Sequence, residues 1–399
     1  MTYQTVDVVI VGAGPIGLSM CQALKGTGLK IALIEKQSAT NIANPAPDGR
    51  EIAITHRTRG ILQDLHQWQH LNESDVHFLR RAAVCNGQSP FLLEFDKPDT
   101  MHGRPIETLG YLISNHHLRR AAYEVLTDEW QSPSFITPFF GVSVASVDSY
   151  ENHSVVVLDN GITLNAKLVI AADSRTSFMR KHLGIAADMH DFGRTVMVFR
   201  TTHTLSNHET AHEGFYYGKT LAVLPLGEYQ SSMVITVDNA KVAEISALNP
   251  AQLAGEMMAW LGGKLGEMTV TSPIYSYPLL GVHAKRFYAK RSALIGDAAV
   301  GMHPVTAHGY NLGMESVHLL SKGIRQAVNQ GRDIGDEAIL RHYHRLHSTK
   351  TLAMYHGTNA IVKLYTDEST PAKVMRHVGL RLSSRLMPIK KLITTQLTG

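Results

Sequence analysis

The chain has 399 residues, 44% hydrophobic and 18% charged, with a formal net charge of +4. That length exceeds one usual domain, and the composition is that of a globular protein in water; so modest a charge gives no reason to expect a nucleic-acid partner. Two cysteines, Cys21 and Cys85, cannot build a disulfide framework, which implies a reducing, cytoplasmic setting.

The first apolar run lacks a basic leader and is broken by three glycines and a proline, so it is not a signal peptide, and no run of eighteen apolar residues exists to span a bilayer. Val6 to Val11 predicts a strand that feeds Gly12-x-Gly14-x-x-Gly17 and then a helix carrying Cys21. Each glycine has a reason: a tight turn at Gly12, backbone approach to a pyrophosphate at Gly14, helix against strand at Gly17. A helix N-terminus there offers N–H groups and partial positive charge to phosphates. The next apolar run, Lys30 to Ile34, ends at Glu35, placed to accept ribose hydroxyls. An acid there, followed by Lys36, suits the unphosphorylated ribose of FAD or NAD, and this motif alone does not separate the two.

Further on, a helix is predicted near Asn115 to Glu129, and a buried-type strand, Leu168 to Ala172, delivers Asp173 to a turn. From about residue 183 the pattern changes. Runs such as Thr195–Thr201 and Ser232–Val237 predict a half-buried antiparallel sheet. His208-Glu-Thr-Ala-His212 matches the zincin pattern but lies in a loop-and-strand context with no third ligand, so no metal is expected. Phe215 and Tyr217 share a strand face that could line an aromatic pocket. A second strand, Ala293 to Ile295, delivers Gly296-Asp297 before a long glycine-punctuated segment.

After Asn311 the chain reads as mostly helical, and His342, His344 and His347, alternating with Arg341 and Arg345, read as a solvated face, as do His66 and His70. From Ser369 to Gly399 there are six basic residues and no acid, leaving 32 basic against 34 acidic residues elsewhere. Val374, Val378, Leu382, Leu386, Ile389 and Ile393 lie on one helical stripe, with a kink expected at Pro388. Such a basic amphipathic helix suits an anionic membrane surface as well as it suits packing on the protein core.

The segments V9-I-V-G-A-G-P-I-G-L18, V169-I-A-A-D-S-R175 and L294-I-G-D-A-A-V-G-M-H-P-V-T-A-H-G-Y-N-L312 together resemble those of the group A flavoprotein monooxygenases. The resemblance extends from about residue 5 to about residue 325. It implies an α/β fold: a Rossmann-like FAD-binding domain of the para-hydroxybenzoate-hydroxylase type, an antiparallel-sheet substrate domain and C-terminal helices. The FAD-binding domain would take residues 1–75, 102–182 and 270–328, the substrate domain 76–101 and 183–269, and a C-terminal helical region 329–399.

By the same resemblance Asp297, after Gly296, would hold the ribityl chain of FAD, and Asp173 would lie near the nucleotide. His303-Pro304 and Gly309-Tyr310-Asn311-Leu312 match the stretch beside the isoalloxazine ring, and Arg50 resembles a family arginine near the flavin. His303 is the expected catalytic side chain, with Pro304 shaping the wall. Within the family the chain is similar to the ubiquinone-biosynthesis hydroxylases. It departs from them at Val300, at His308 and in reading A-D-S where most read A-D-G; A-D-S-R and M-H-P-V-T-A-H-G resemble the UbiM-like subgroup acting on 5-demethoxyubiquinol. Leu221-A-V-L-P-L226 and Tyr277-P-L-L280 match substrate-domain landmarks loosely.

The implied chemistry is aromatic hydroxylation through a C4a-hydroperoxyflavin, with O2 as co-substrate, NADPH or NADH as possible reductant, and an aromatic or prenylated quinol as substrate. The membrane surface at the inner face, or a quinone-biosynthesis complex, would be the tail's partner. Two rivals stay open: a flavin reductase of similar fold, distinguished by oxygen in the product, and a silent FAD-binding partner, excluded by substrate-dependent NADPH consumption.

Overall fold

Val8, Val9 and Ile10 have no exposed surface because the strand Tyr3–Val11 is covered on both faces, which is why its sequence is a continuous apolar run and not an alternating one. Each such side chain contributes about 1.5–3 kcal/mol by leaving water. The computed structural model describes residues 3–86, 92–101, 103–131, 134–216, 218–303 and 308–366. Pro304, Tyr217 and the basic tail therefore lie outside the described residues.

One sheet orders its strands Ile136–Phe140, Ile31–Glu35, Tyr3–Val11, Thr163–Ala171, Ser154–Leu158 and Val144–Ser149, and Ser292–Leu294 pairs with Thr163–Ala171. Pairing among the first four, and with Ser292–Leu294, is parallel. Register brings strand ends together: Val11 stands beside Ile34 and Ala171, and Ala171 beside Leu294. The helix Pro15–Leu24, opened by proline in its first turn, is buried from Gly17 to Leu24. It packs against Gly309–Asn329, whose Gly313 lets Ile16 approach; a Cβ at 313 would stand 2.7 Å from Ile16 Cδ1.

The second sheet runs Val300–Gly301, Tyr275–Ala284, Ala187–His203, Gln230–Asp238, Lys219–Pro225, Thr210–Tyr216, Arg81–Asn86, Leu92–Asp96. Tyr275–Ala284 pairs antiparallel along Ala187–His203, so residues 275–284 join this sheet and not the nucleotide-binding unit to which the sequence reading gave them. Val76–Leu79 makes the opposite move, pairing with Gly110–Ser114 in a small third sheet. In both cases the backbone partner decides, and pairing across the chain leaves no local sequence signal.

The second sheet is buried on both faces where half-burial was expected. Met197, Phe199, Ile235 and Val237 pack with Leu253 and Met257 of the helix Pro250–Leu261, whereas Val196, Val198 and Leu279 form a cluster with Phe192 and Val234 on the other face. A buried ion pair fastens the sheet to its neighbour: Arg200 Nη2 donates to Glu51 Oε1 at 2.7 Å and to Ser114 Oγ at 2.7 Å. The Glu51 side chain is 0% exposed, and burial holds its carboxyl above the usual range although Arg200 pulls the other way.

The long helix Glu337–Thr366 corrects another expectation, because His347 is 2% exposed and packs on Phe287 and Tyr343 rather than facing solvent. Only His342 of that trio is exposed, with His344 half-buried. Burial pushes the His347 imidazole down to about 4, so the fold holds it neutral. The unfolded chain, with an imidazole near 6.5, binds more protons between those values. Stability from this group is therefore full above about pH 6.5 and is lost as pH falls toward 4. His347→Gln is expected to show a smaller drop in urea midpoint between pH 7 and pH 4.5 than the parent protein.

Candidate active site

The parallel register gathers the three motifs at one edge of the first sheet, outside the carboxyl ends of its strands, where open α/β sheets bind ligands. Gly12 turns at φ +106°, and a Cβ there would lie 2.5 Å from the Ala172 carbonyl oxygen. Gly17 is tighter: its Cβ would stand 1.9 Å from Gly12 O. Gly14 differs, since a Cβ there meets nothing within 4 Å. The turn is thus packed against protein at Gly12 and Gly17 and open at Gly14, the layout of a phosphate cradle.

Glu35 is buried and accepts from Ala13 N at 2.7 Å and Gln37 N at 2.9 Å. A carboxylate has about four acceptor positions, so two remain for ribose hydroxyls. Lys36 beyond it is exposed.

Asp173 turns inward. It accepts from Ser177 Oγ and from Met179 N at 2.9 Å, capping the short helix Phe178–His182. The side chain that crosses to the third motif is Arg175, which donates from Nε to Asp297 Oδ2 at 3.1 Å and from Nη1 to Leu280 O at 2.9 Å. Arg180, 1% exposed, ties the same pieces from below through Ala298 O at 2.9 Å and Arg175 O at 3.1 Å. Sequence reading passed over both arginines, although A-D-S-R was quoted for its aspartate.

Between Asp173 and Arg175, Ser174 holds φ +89°, exposed, in a region that favours glycine. The resemblance marked this position as the one where most members carry glycine, and the backbone supplies the reason. Ser174→Gly is expected to stabilise the protein by about 1 kcal/mol, read as a higher denaturant midpoint at unchanged slope.

Asp297 sits in the turn after Ser292–Leu294, its side chain 38% exposed, with Gly296 at φ +58° allowing the turn and Gly296 N donating to Ser316 Oγ at 3.2 Å. The helix Gly309–Asn329 begins at the same edge, its first intrahelical bond running from Leu312 N to His308 O, so the preceding N–H groups lie outside the helical ladder. The Asn311 side chain is engaged with protein, donating to Ala53 O at 2.8 Å and accepting from Thr55 N at 3.1 Å. Leu312 is buried in the core. These two residues aim the helix start by side-chain packing, and Gly309, where a Cβ would meet nothing, leaves it open.

Arg50 stacks over Tyr277 at 5.3 Å and pairs with Asp48 at 2.6 Å. Burial opposes the Asp48 carboxylate, but Arg50 and Asn115 hold it below the usual range. Tyr277 also donates to Asp48 O, joining the second sheet to this edge. His303 is 7% exposed, edge-on to Phe192 at 5.1 Å, and burial with Arg175 and Arg194 nearby pushes its imidazole down to about 4. It is neutral at neutral pH and presents one donor and one acceptor nitrogen.

Among the described residues no group of His, Cys, Asp and Glu is arranged for a metal ion. His208 and Glu209 occupy a turn at φ +51° and +52°, and His212 lies in the following strand, so the zincin-like run has no helix to bring its histidines together. Nor is any described helix long and apolar enough to cross a membrane.

A parallel sheet with a glycine cradle at its carboxyl edge, faced by an antiparallel sheet carrying an apolar wall, defines a flavoprotein of the para-hydroxybenzoate-hydroxylase type. The FAD binding domain family matches residues 5–352. The ubiquinone hydroxylase UbiM of Neisseria meningitidis is 49% identical over 98% of this chain and 84% of its own length, and the ubiquinone hydroxylase UbiL of Rhodospirillum rubrum 29% identical over 98% and 89%. The crystal structure of p-nitrophenol 4-monooxygenase PnpA from Pseudomonas putida superposes with a TM-score of 0.77 at 17% identity, covering 99% of both chains. The chain belongs to the FAD binding domain family and, within it, to the ubiquinone-biosynthesis hydroxylases among the group A flavoprotein monooxygenases.

Proposed function

We propose that this FAD-dependent monooxygenase hydroxylates the aromatic ring of a prenylated ubiquinone precursor, demethoxyubiquinol being the candidate. The observation that carries this reading is the apolar face of the second sheet, which runs from Phe192 beside His303 through Val196, Val198 and Val234, a wall suited to a large apolar substrate lying against the flavin edge. The likeness to ubiquinone hydroxylases supports the same substrate class.

FAD, when bound, would carry electrons from a reductant, NADPH or NADH in this reading, to dioxygen, one of whose oxygen atoms would enter the ring while the other leaves as water. The chain's own residues bind and orient. The backbone N–H groups of Gly14, Ile16 and Gly17 at the helix start would serve the diphosphate, since Gly12 N and Ala13 N already donate to Ile34 O and Glu35; Glu35 would accept ribose hydroxyls, and Asp297, fixed by Arg175, would hold the polyol. The start of the Gly309–Asn329 helix offers partial positive charge, which would suit a reduced, anionic flavin at this edge. His303, neutral and held edge-on to Phe192, keeps a proton on one ring nitrogen for a ring oxygen of the substrate. The apolar sheet face would exclude water. The basic amphipathic tail would hold the enzyme at an anionic surface where prenylated quinols reside.

The test is the quinone pool of cells lacking the protein and any redundant hydroxylase. Accumulated demethoxyubiquinone, cleared by the intact chain but not by Asp297→Ala, is the expected result; an unchanged pool overturns the substrate.

A further inference from the structure

Inter-strand register defines a row of side chains on the inner face of the second sheet: Leu93, Val84, Glu213, Ala222, Val234, Val198 and Tyr275 stand opposite one another, strand by strand. Six are apolar or aromatic; one is a carboxylic acid. The next row on the same face carries Phe215, Thr220, Thr236, Val196 and Tyr277, and Tyr277 reaches the Asp48 backbone beside Arg50. Val198 and Val234 belong to the cluster of Phe192, which touches His303. Glu213 therefore shares the wall proposed to hold the substrate, three strands from Val198, or about 14 Å at ordinary strand spacing.

No hydrogen bond or ion pair engages the Glu213 carboxyl among the described residues. It retains some accessible surface, yet burial pushes it up to about 8. Cys85 and His212 are on the sheet's other side: Cys85 neighbours Gly214, and His212 lies beside Lys264. Arg200, the cation at the far end of this face, is occupied by Glu51. A half-buried carboxyl that has no hydrogen-bond partner among the described residues and stands in an apolar row is open to a ligand's polar groups.

We infer that Glu213 is a substrate-binding residue, a neutral carboxylic acid that donates one hydrogen bond to, and accepts one from, the oxygen substituents of the quinol ring. This rests on the quinol reading above. A protonated carboxyl offers a donor and an acceptor side by side, matching a hydroxyl next to a methoxy or carbonyl oxygen. Such a group in an apolar wall discriminates strongly, because an analogue lacking those oxygens leaves it unsatisfied.

The test measures binding of a demethoxyubiquinol analogue with a short prenyl tail to the FAD-loaded enzyme, followed by the change in flavin absorbance. Wild type, Glu213→Gln and Glu213→Leu are compared between pH 7 and 9. Wild-type affinity is expected to fall about tenfold over that range as the competent protonated form becomes scarce. Glu213→Gln, which cannot ionise, is expected to bind nearly as well at pH 7 and to show a flat profile. Glu213→Leu is expected to bind about three- to tenfold more weakly at every pH. The wild-type carboxyl C=O infrared band, identified by its loss in Glu213→Gln, should shift when the analogue binds. Identical affinities and pH profiles in all three proteins, or an unshifted band, overturn the inference while the hydroxylase reading stands. Failure of the wild type to bind or hydroxylate any quinol overturns both.

Discussion

Gly17→Ala is expected to yield a protein without FAD, destabilised on the order of 4 kcal/mol. The added methyl would lie 1.9 Å from Gly12 O and 3.0 Å from Gly12 C, atoms of a turn that is itself pressed against Ala172. Neither backbone can give way without separating the Pro15–Leu24 helix from the strand ends Val11 and Ala171. Flavin absorbance of the purified protein and its denaturant midpoint check this. Gly14→Ala is the informative contrast, for its methyl meets no protein atom. It should keep its midpoint and still lose flavin, because the added methyl would enter space that the protein leaves open for the proposed diphosphate.

Arg200→Ala should cost about 3–5 kcal/mol, far more than a surface ion pair, since it strands a buried carboxylate. Glu51 would keep only Ser114 Oγ as a hydrogen-bond donor from this cluster. Combining it with Glu51→Gln should recover most of the loss, and a double-mutant cycle in urea measures the coupling. If the single variant loses less than about 1 kcal/mol, the pair does not fasten the two sheets. The tie joins the sheet that carries the proposed substrate wall, to which Arg200 belongs, to the strand next to Arg50, which carries Glu51.

How much of the site was legible depended on whether a residue acts through its backbone or its side chain. Gly12, Gly14 and Gly17 declared themselves because a tight turn and a close approach leave a spacing in the sequence, and Glu35 followed at the end of the next strand. The aspartates were harder. Asp173 and Asp297 look alike in sequence, each after a buried strand, yet one caps the helix behind it and the other faces Arg175 at the strand edge. Asn311 and Leu312 fell in the right segment, but their side chains point into the fold. His347 was read as solvated because arginines flank it, and the helix turns it toward Phe287 instead.

The sequence by itself determined the nucleotide-binding unit, the identity of the three strand-end motifs and the family, since these rest on local patterns within short stretches of chain. Only the tertiary structure decided which strands belong to which sheet, that Arg175 and Arg180 lock the second motif to the third, and that Glu213 stands alone in an apolar row. The physical reason is range. Turn geometry and hydrophobic period are written in neighbouring residues, whereas strand register and the environment of a buried charge are set by segments far apart in the chain, and those meet only in the folded protein.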